Sequence, residues 1–154
     1  MTTFENLFAE YPCTLTDASV KVAVEEILAK HFDENNNAEV WKQCLHSIDL
    51  TTLNGEDTTE KVETMAQRVN EFEENFPGVP NVAAMCVYPS LVQTVADTLT
   101  EPIGIAAVAA GFPASQTFIE VKIAEAAMAV AAGATEIDIV ISIGKFLEGN
   151  YQEV

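Results

Sequence analysis

Basic residues are scarce in this chain of 154 amino acids. Seven lysines and arginines face 24 aspartates and glutamates, which gives a formal net charge of -17. No basic side chain occurs between Arg68 and Lys122, and only Lys145 follows Lys122. Nucleic acid and anionic membrane surfaces would repel such a chain, so we expect neither as a partner. A phosphate group on a substrate would have to be held by backbone amides at helix starts.

Cysteine motifs and long apolar runs are also missing. Cys13, Cys44 and Cys86 are widely spaced, form no CxxC pair and make no metal pattern with the two histidines. We therefore expect reduced thiols, no bound metal and no cofactor. No apolar run approaches the ~18 residues of a membrane span, and the opening MTTFENLFAEYP lacks the features of a secretory signal. The expected location is the cytoplasm.

The common local signatures of catalysis are absent as well. The sequence contains no GxGxxG, no GxxxxGK[ST] and no nucleophile elbow. Hydrophobic residues make up 49% and charged residues 20%, which is typical of a folded globular domain. Short motifs alone therefore assign no activity.

The sequence does contain a regular alternation of strand and helix patterns. A helical extension is expected over 1–46, with a helix at 17–32 that begins at Asp17 as N-cap and a loop at 33–41. The second part, 47–154, has four segments with strand character: 47–51, 81–88, 103–110 and 136–142. The segments between them have helical periodicity: 56–72, 89–99 and 115–133. Capping-box spacing occurs twice, at Asp57/Glu60 and at Thr117/Glu120.

This order, β-α-β-α-β-α-β, predicts an α/β protein with a parallel sheet and helical crossovers. Two architectures remain open on this pattern: a doubly wound sheet, or part of a (β/α)₈ barrel. A full barrel needs about 250 residues, so a barrel here would be incomplete, with about four parallel strands. We expect the chain to end partway through the repeat.

Alternation along the strands predicts two different sheet faces. In the fourth strand Ile137, Ile139 and Ile141 share the face suited to helices, whereas Asp138 points to the other side. The same parity in the first two strands places Asp49, Thr51 and Cys86 opposite the helices. A face with small and polar groups near strand C-termini is where barrel enzymes carry out chemistry. An ionised Asp138 in a strand needs either a partner or a function.

Three longer strings carry a resemblance to a known family. They are SIDLTTLNGEDTTEKV, NVAAMCVYPSLV and IAAVAAGFPASQTFIEVKIAEAAMAVAAGATEIDIVISIGKFLEGNY. Together they resemble the 2-deoxyribose-5-phosphate aldolase family in the order and spacing of its motifs, from about Ser47 to the end of the chain. The resemblance implies the N-terminal half of a (β/α)₈ barrel. Where the family often has a glycine two residues after the G-F-P proline, this chain has Ser115.

The resemblance implies a class I aldolase that reversibly cleaves 2-deoxyribose 5-phosphate to glyceraldehyde 3-phosphate and acetaldehyde, in deoxyribonucleotide catabolism. A lysine forms a Schiff base with the substrate, a second lysine lowers the pKa of the first, and an aspartate relays protons. Asp138 matches the catalytic aspartate. Asp49 and Thr51 match substrate-side polar positions, and Cys86 matches a thiol that lines the pocket.

The Schiff-base lysine has no counterpart in this chain, because the resemblance places it on the sixth strand and its companion on the seventh. Lys145 is interpreted as a solvated loop lysine, and Lys122 with Glu125 as a helix-surface ion pair. Three hypotheses follow: an aldolase whose remaining half is supplied elsewhere or continues beyond Val154, an inactive half barrel that self-associates into a homo-oligomer through its open edges, or an acidic α/β binding module.

Overall fold

The structure is a computed structural model that describes residues 4–154. The chain divides into two compact units, one ending at Trp41 and the other spanning Lys42–Val154. The helices of the N-terminal part are α1 (Phe4–Glu10), α2 (Asp17–Asn35) and α3 (Ala38–His46). No described helix is both long and apolar enough to cross a bilayer.

Two predictions for the N-terminal helices are wrong. The N-cap of α2 is Thr16 rather than Asp17, because Thr16 and Ser19 form a reciprocal capping box that satisfies the first free amides. The expected loop at 33–41 is largely helical. Asn37 caps α3 by accepting from the amides of Glu39 and Val40, so the asparagine cluster marks a break between two helices.

The second unit contains a parallel sheet in the order β1-β2-β3-β4, as the alternation predicted. Its strands are listed in chain order: β1 (Asp49–Thr51), β2 (Ala84–Val87), β3 (Gly104–Ala109) and β4 (Glu136–Ile139). Each pair of neighbours is parallel, with Thr51 opposite Cys86 and Val108 opposite Asp138. The prediction of four parallel strands with helical crossovers is confirmed.

The connections contain the predicted helices, with shifted ends. They are α4 (Thr59–Asn70), a 3₁₀ turn (Pro89–Leu91) leading into α6 (Val92–Thr98), and α7 (Ile119–Ala131). Two further short helices, α5 (Phe72–Asn75) and α8 (Ile143–Leu147), follow α4 and β4. Neither predicted capping box forms. Thr58 caps α4 by accepting from Lys61 N, and α7 begins after Phe118 without a side-chain cap. Gly133 follows α7 with a φ of +110°, the left-handed conformation that favours glycine.

The two faces of the sheet bury different clusters, as the alternation predicted. The helix side holds the main core, which is formed by Val62, Ala66, Val69, Met85, Val87, Leu91, Val92, Val95, Ile105, Ala107, Ala129 and Ala134. The opposite side, here called the inward face, holds the small cluster Ala84, Cys86, Ala106 and Val108, with Leu53, Tyr88 and Phe112 against it. Burial of a full aliphatic side chain contributes about 1.5–3 kcal/mol, so the helix side supplies most of the stability.

The sheet has two open edges within the described residues, since β1 and β4 each pair with a single neighbour. The β4 side is poorly covered. Ile139 lies on the helix side but is 69% exposed, and Ile141 and Leu147 are also exposed. Several apolar residues of α7, among them Ile119, are exposed too. An uncovered apolar edge of this kind favours association with further polypeptide.

Candidate functional site

The inward face brings Asp138 and Cys86 together across β3. Cys86 Sγ donates to Asp138 Oδ2 at 3.6 Å, although the two residues lie on strands that are not neighbours. They meet because β3 presents only small side chains between them: Ala106 stands opposite Cys86, and Val108 opposite Asp138. A larger residue at Ala106 would separate the thiol from the carboxylate.

Burial, together with the Asp138 carboxylate, raises the pKa of the Cys86 thiol to about 11. Cys86 is 3% exposed, and desolvation disfavours the thiolate before any neighbouring charge acts. The nearby Asp49 carboxylate adds to the rise, and the Thr51 hydroxyl opposes it. The thiol is therefore almost entirely protonated near neutral pH and is a poor nucleophile. It lines the face as a small apolar group that hydrogen-bonds Asp138.

Asp49 and Thr51 occupy the expected side of β1. Thr51 stands opposite Cys86, whereas Asp49, two residues earlier on the same strand, stands opposite Ala84. The Thr51 hydroxyl donates to the Asp49 carbonyl at 2.8 Å. Both residues are exposed, as is Asp138. The structure thus gathers all four predicted site residues on one face, with Asp138, Cys86 and Thr51 nearest the C-terminal ends of their strands.

Glu136 is a further carboxylate of this face, and motif matching did not select it. It stands opposite Ala106 and lies two residues before Asp138 on β4. A Cβ at Gly104 would lie 2.2 Å from Glu136 Oε1, so glycine at this position makes room for the glutamate side chain. Strand alternation was the available signal, since it places Glu136 and Asp138 on the same side. The inward face therefore carries three carboxylates.

The predicted surface pair of Lys122 and Glu125 is wrong. Lys122 Nζ donates instead to Ser115 Oγ and to Ser142 Oγ, each at 2.7 Å. Glu125 Oε2 accepts from the Gly111 amide at 2.9 Å. Both side chains point from α7 toward loops at the ends of β3 and β4. Spacing within one helix could not predict this, because the bonding groups lie on other elements.

Lys145 was expected in a solvated loop, but it lies in the short helix α8. Its amine contacts the carboxylates of Glu148 and Glu153, at 3.3 Å and 3.5 Å. The hydrogen bond to Glu148 and the two negative charges raise the pKa of Lys145. A Schiff-base lysine needs the opposite shift, because the neutral amine is the nucleophile. Lys145 therefore lacks the environment of a covalent catalyst.

The segment after β1 is fixed by Asp57. Its carboxylate accepts from the Thr52 hydroxyl, the Asn54 amide and the Lys61 amine. The hydrogen bond to Lys61, with those from Asn54 and Thr52, holds the pKa of the Asp57 carboxyl down to about 2. This network gives a role to two residues of the SIDLTTLN segment: Thr52 and Asn54 shape the loop beside the inward face.

Metal-binding geometry is not found in the part of the chain that the structure describes. No group of three or more histidine, cysteine, aspartate or glutamate side chains there could hold an ion. The cysteines of this part are free thiols: Cys13 and Cys44 are exposed, and Cys86 is buried.

Comparison with known sequences supports the resemblance. A profile described as DeoC/LacD family aldolase matches residues 44–153. The deoxyribose-phosphate aldolase of Homo sapiens is 37% identical over 140 residues, covering 83% of this chain and 44% of that protein. The mouse protein of the same name is 37% identical over 148 residues, with 88% and 46% covered. The chain thus spans less than half the length of these curated relatives.

Solved structures show the same fold. An aldolase named QR15 superposes with a TM-score of 0.61 at 25% identity, over 70% of this chain and 44% of its own. The deoxyribose phosphate aldolase of Aeropyrum pernix, described as tetrameric, gives a TM-score of 0.60 at 24% identity, over 77% and 47%. The predicted incomplete (β/α)₈ barrel is therefore confirmed. On the profile match over residues 44–153, this chain belongs to the DeoC/LacD aldolase family.

Proposed function

We propose that this chain supplies the N-terminal half of a deoxyribose-phosphate aldolase active site, and that the Schiff-base lysine comes from the other half of the barrel. One observation carries the proposal: Asp138 and Cys86 meet on the inward face at 3.6 Å, while Lys122 and Lys145 bond to groups outside that face. The proposed proton-relay carboxylate therefore lies on the inward face, and neither Lys122 nor Lys145 accompanies it there.

In the proposed reaction the lysine amine adds to the carbonyl carbon of 2-deoxyribose 5-phosphate, and water leaves to give an iminium ion. The hydroxyl next to the scissile bond loses its proton while the carbon–carbon electron pair moves into the iminium. Glyceraldehyde 3-phosphate departs, and an enamine remains. Protonation of the enamine carbon and hydrolysis by water then release acetaldehyde and restore the amine.

Asp138 is proposed to accept the hydroxyl proton and return it to the enamine carbon, directly or through a water molecule. Asp49 and Thr51 are proposed to bind polar groups of the sugar, and Cys86 to hold the Asp138 carboxylate on the inward side. The pKa of Cys86, raised to about 11 by burial and Asp138, suits this role because the protonated thiol can donate.

Charge disfavours closure of the barrel by another copy of this chain. Asp49, Glu136 and Asp138 all lie on the inward face, and two copies facing each other would enclose twice that number of carboxylates. Such an interior is strongly unfavourable without cations. A half barrel that carries lysines on its own inward face would compensate the charge. It would dock along the open edges of β1 and β4.

Complementation tests the proposal. The chain is expressed with the C-terminal half of a curated relative, and cleavage of 2-deoxyribose 5-phosphate is followed by reduction of the released acetaldehyde with alcohol dehydrogenase and NADH. We expect turnover by the mixture only. Asp138→Asn should lower kcat by at least about 100-fold, within the range for general acid–base groups. The matched control, Asp97→Asn on α6, should leave kcat unchanged.

Two results would contradict the proposal: a stable complex of the halves without turnover, or unchanged turnover in Asp138→Asn.

The second candidate function, a self-associating half barrel without activity, is favoured by the exposure of Ile139, Ile141 and Leu147. It predicts a stable homo-oligomer of this chain that resists mixing with the other half. Binding of a sugar phosphate without turnover would instead favour the acidic binding module. The cytoplasmic location stays a prediction.

A further inference from the structure

Helix α7 holds the loops at the ends of two strands through side chains one turn apart. Lys122 Nζ donates to Ser115 Oγ, in the β3–α7 loop, and to Ser142 Oγ, at the start of α8. Glu125 Oε2 accepts from the Gly111 amide, in the same β3–α7 loop. The two side chains therefore connect α7 to both sides of the β3–α7 loop and to the segment after β4.

Ser115 extends this connection to β4 itself. Its hydroxyl accepts from Lys122 and donates its one proton to the Val140 carbonyl at 3.0 Å. Val140 lies two residues after Asp138, so the contact fixes the backbone directly beyond the carboxylate. Ser115 is 5% exposed, and a buried hydroxyl that lost these partners would be left unsatisfied.

The β3–α7 loop needs such contacts because its backbone is strained. Ser115 has a φ of +55° and Ala110 a φ of +64°, a conformation that disfavours residues with a Cβ. Gly111, with a φ of +72°, packs so closely that a Cβ would lie 2.8 Å from Thr117 Cγ2. Non-glycine residues persist in this region when surrounding contacts over-determine them. Lys122 and Glu125 supply contacts of that kind.

We propose that Lys122 and Glu125 are positioning residues, which hold the β3–α7 and β4–α8 loops so that Asp138 stays against Cys86 on the inward face. The catalytic meaning of this arrangement rests on the role proposed for Asp138. The arrangement itself can be tested in this chain alone, without turnover, so its failure is distinguishable from failure of the proposed function.

The Cys86 thiol serves as the local probe. The charges that face it are Asp138 on β4 and Asp49 on β1, and the Thr51 hydroxyl lies beside it. Removing the Lys122 charge alone would disfavour the thiolate and slow its reactions. Releasing Asp138 from Cys86 would favour the thiolate and speed them. The two effects have opposite signs, so the direction of the change separates them.

The experiment is a double-mutant cycle in a background of Cys13→Ser and Cys44→Ser. The rate of Cys86 modification by methyl methanethiosulfonate is measured at pH 8 for the parent, Lys122→Met, Asp138→Asn and the double variant. We expect Lys122→Met to react at least about threefold faster, equivalent to half a unit of thiol pKa. In the Asp138→Asn background Lys122→Met should add no further acceleration, because its effect acts through Asp138.

Four further variants complete the design. Lys122→Arg should react within twofold of the parent, since it retains a cationic donor. Lys145→Met removes the same charge from α8 and should leave the rate unchanged. Ser142→Ala removes one acceptor only and should give a smaller acceleration, which keeps the test available if Lys122→Met fails to fold by circular dichroism. Glu125→Ala should also accelerate the reaction.

The proposal is overturned if Lys122→Met reacts more slowly than the parent or at the same rate. It is equally overturned if the acceleration is the same in both backgrounds, because Lys122 would then affect only access to the thiol.

Discussion

Ile105 and Ile139 offer a matched test of how much of the sheet this chain covers by itself. Both lie on the helix side of the sheet, on the neighbouring strands β3 and β4. Ile105 is 9% exposed and belongs to the main core, whereas Ile139 is 69% exposed. Replacing each with alanine removes the same side-chain atoms, so the difference between the two substitutions mainly reports burial.

The expected magnitudes follow from these exposures. A buried isoleucine replaced by alanine lowers the free energy of unfolding by about 2–5 kcal/mol, so Ile105→Ala should lower it by about 3 kcal/mol. Ile139 has less than a third of its surface buried, and Ile139→Ala should lower it by about 1 kcal/mol or less. The predicted difference is about 2 kcal/mol.

Urea unfolding followed by far-ultraviolet circular dichroism measures both values, at two protein concentrations that differ tenfold. Equal losses for the two variants would refute the reasoning, because Ile139 would then be covered in solution. A loss for Ile139→Ala that grows with protein concentration would show that other copies of the chain cover it. In complex with a second half barrel, the loss for Ile139→Ala should rise toward that of Ile105→Ala.

Two other predictions concern the loops beside the site. The pKa of Asp57, held at about 2 by Lys61, lies below its ordinary value, so its contribution is present above about pH 4 and is lost as pH falls toward 2. Urea titrations across this range should show a steeper loss of stability in the parent than in Asp57→Asn; equal slopes would contradict the assignment. Ser115→Gly should be more stable than Ser115→Ala by about 1 kcal/mol, because both lose the hydroxyl and only glycine relieves the positive φ. Equal melting temperatures for the two variants would show that the positive φ at position 115 does not destabilise the fold.

Strand alternation predicted the two sheet faces correctly because it depends only on backbone geometry. Ile137 packs on the main core, and Cys86 contacts Asp138 on the other side. The period of two holds wherever a strand forms, whatever its neighbours are. The sequence could therefore place Asp138, Cys86, Thr51 and Asp49 on one face before any contact was known.

The helix ends and polar contacts were predicted less well, because neighbouring elements decide them. Capping-box spacing indicated Asp57, yet this carboxylate bonds to Thr52 and Asn54 in the loop after β1. Lys122 and Glu125 have the spacing of an ion pair, yet each bonds to a loop that the folded sheet brings to α7. Local spacing contains no information about such partners.

Two arguments indicate that Lys145 is not a Schiff-base lysine: its position in the sequence and the electrostatics of its surroundings. The sequence neighbours of Lys145 predict a solvated loop lysine. The structure adds the carboxylates of Glu148 and Glu153, which favour the ammonium form and raise the pKa of Lys145. Exposure alone would have left its nucleophilicity near that of any free lysine.

Borohydride trapping tests the central claim most directly, that this half barrel provides the proton relay and not the covalent amine. The chain is incubated with acetaldehyde and sodium borohydride, alone and with the complementary half, and each polypeptide is examined by intact mass and peptide mapping. We predict no stoichiometric adduct on this chain in either case, and an adduct on a lysine of the complementary half in the mixture. A stoichiometric adduct on Lys145, or on any other lysine of this chain, would contradict the account.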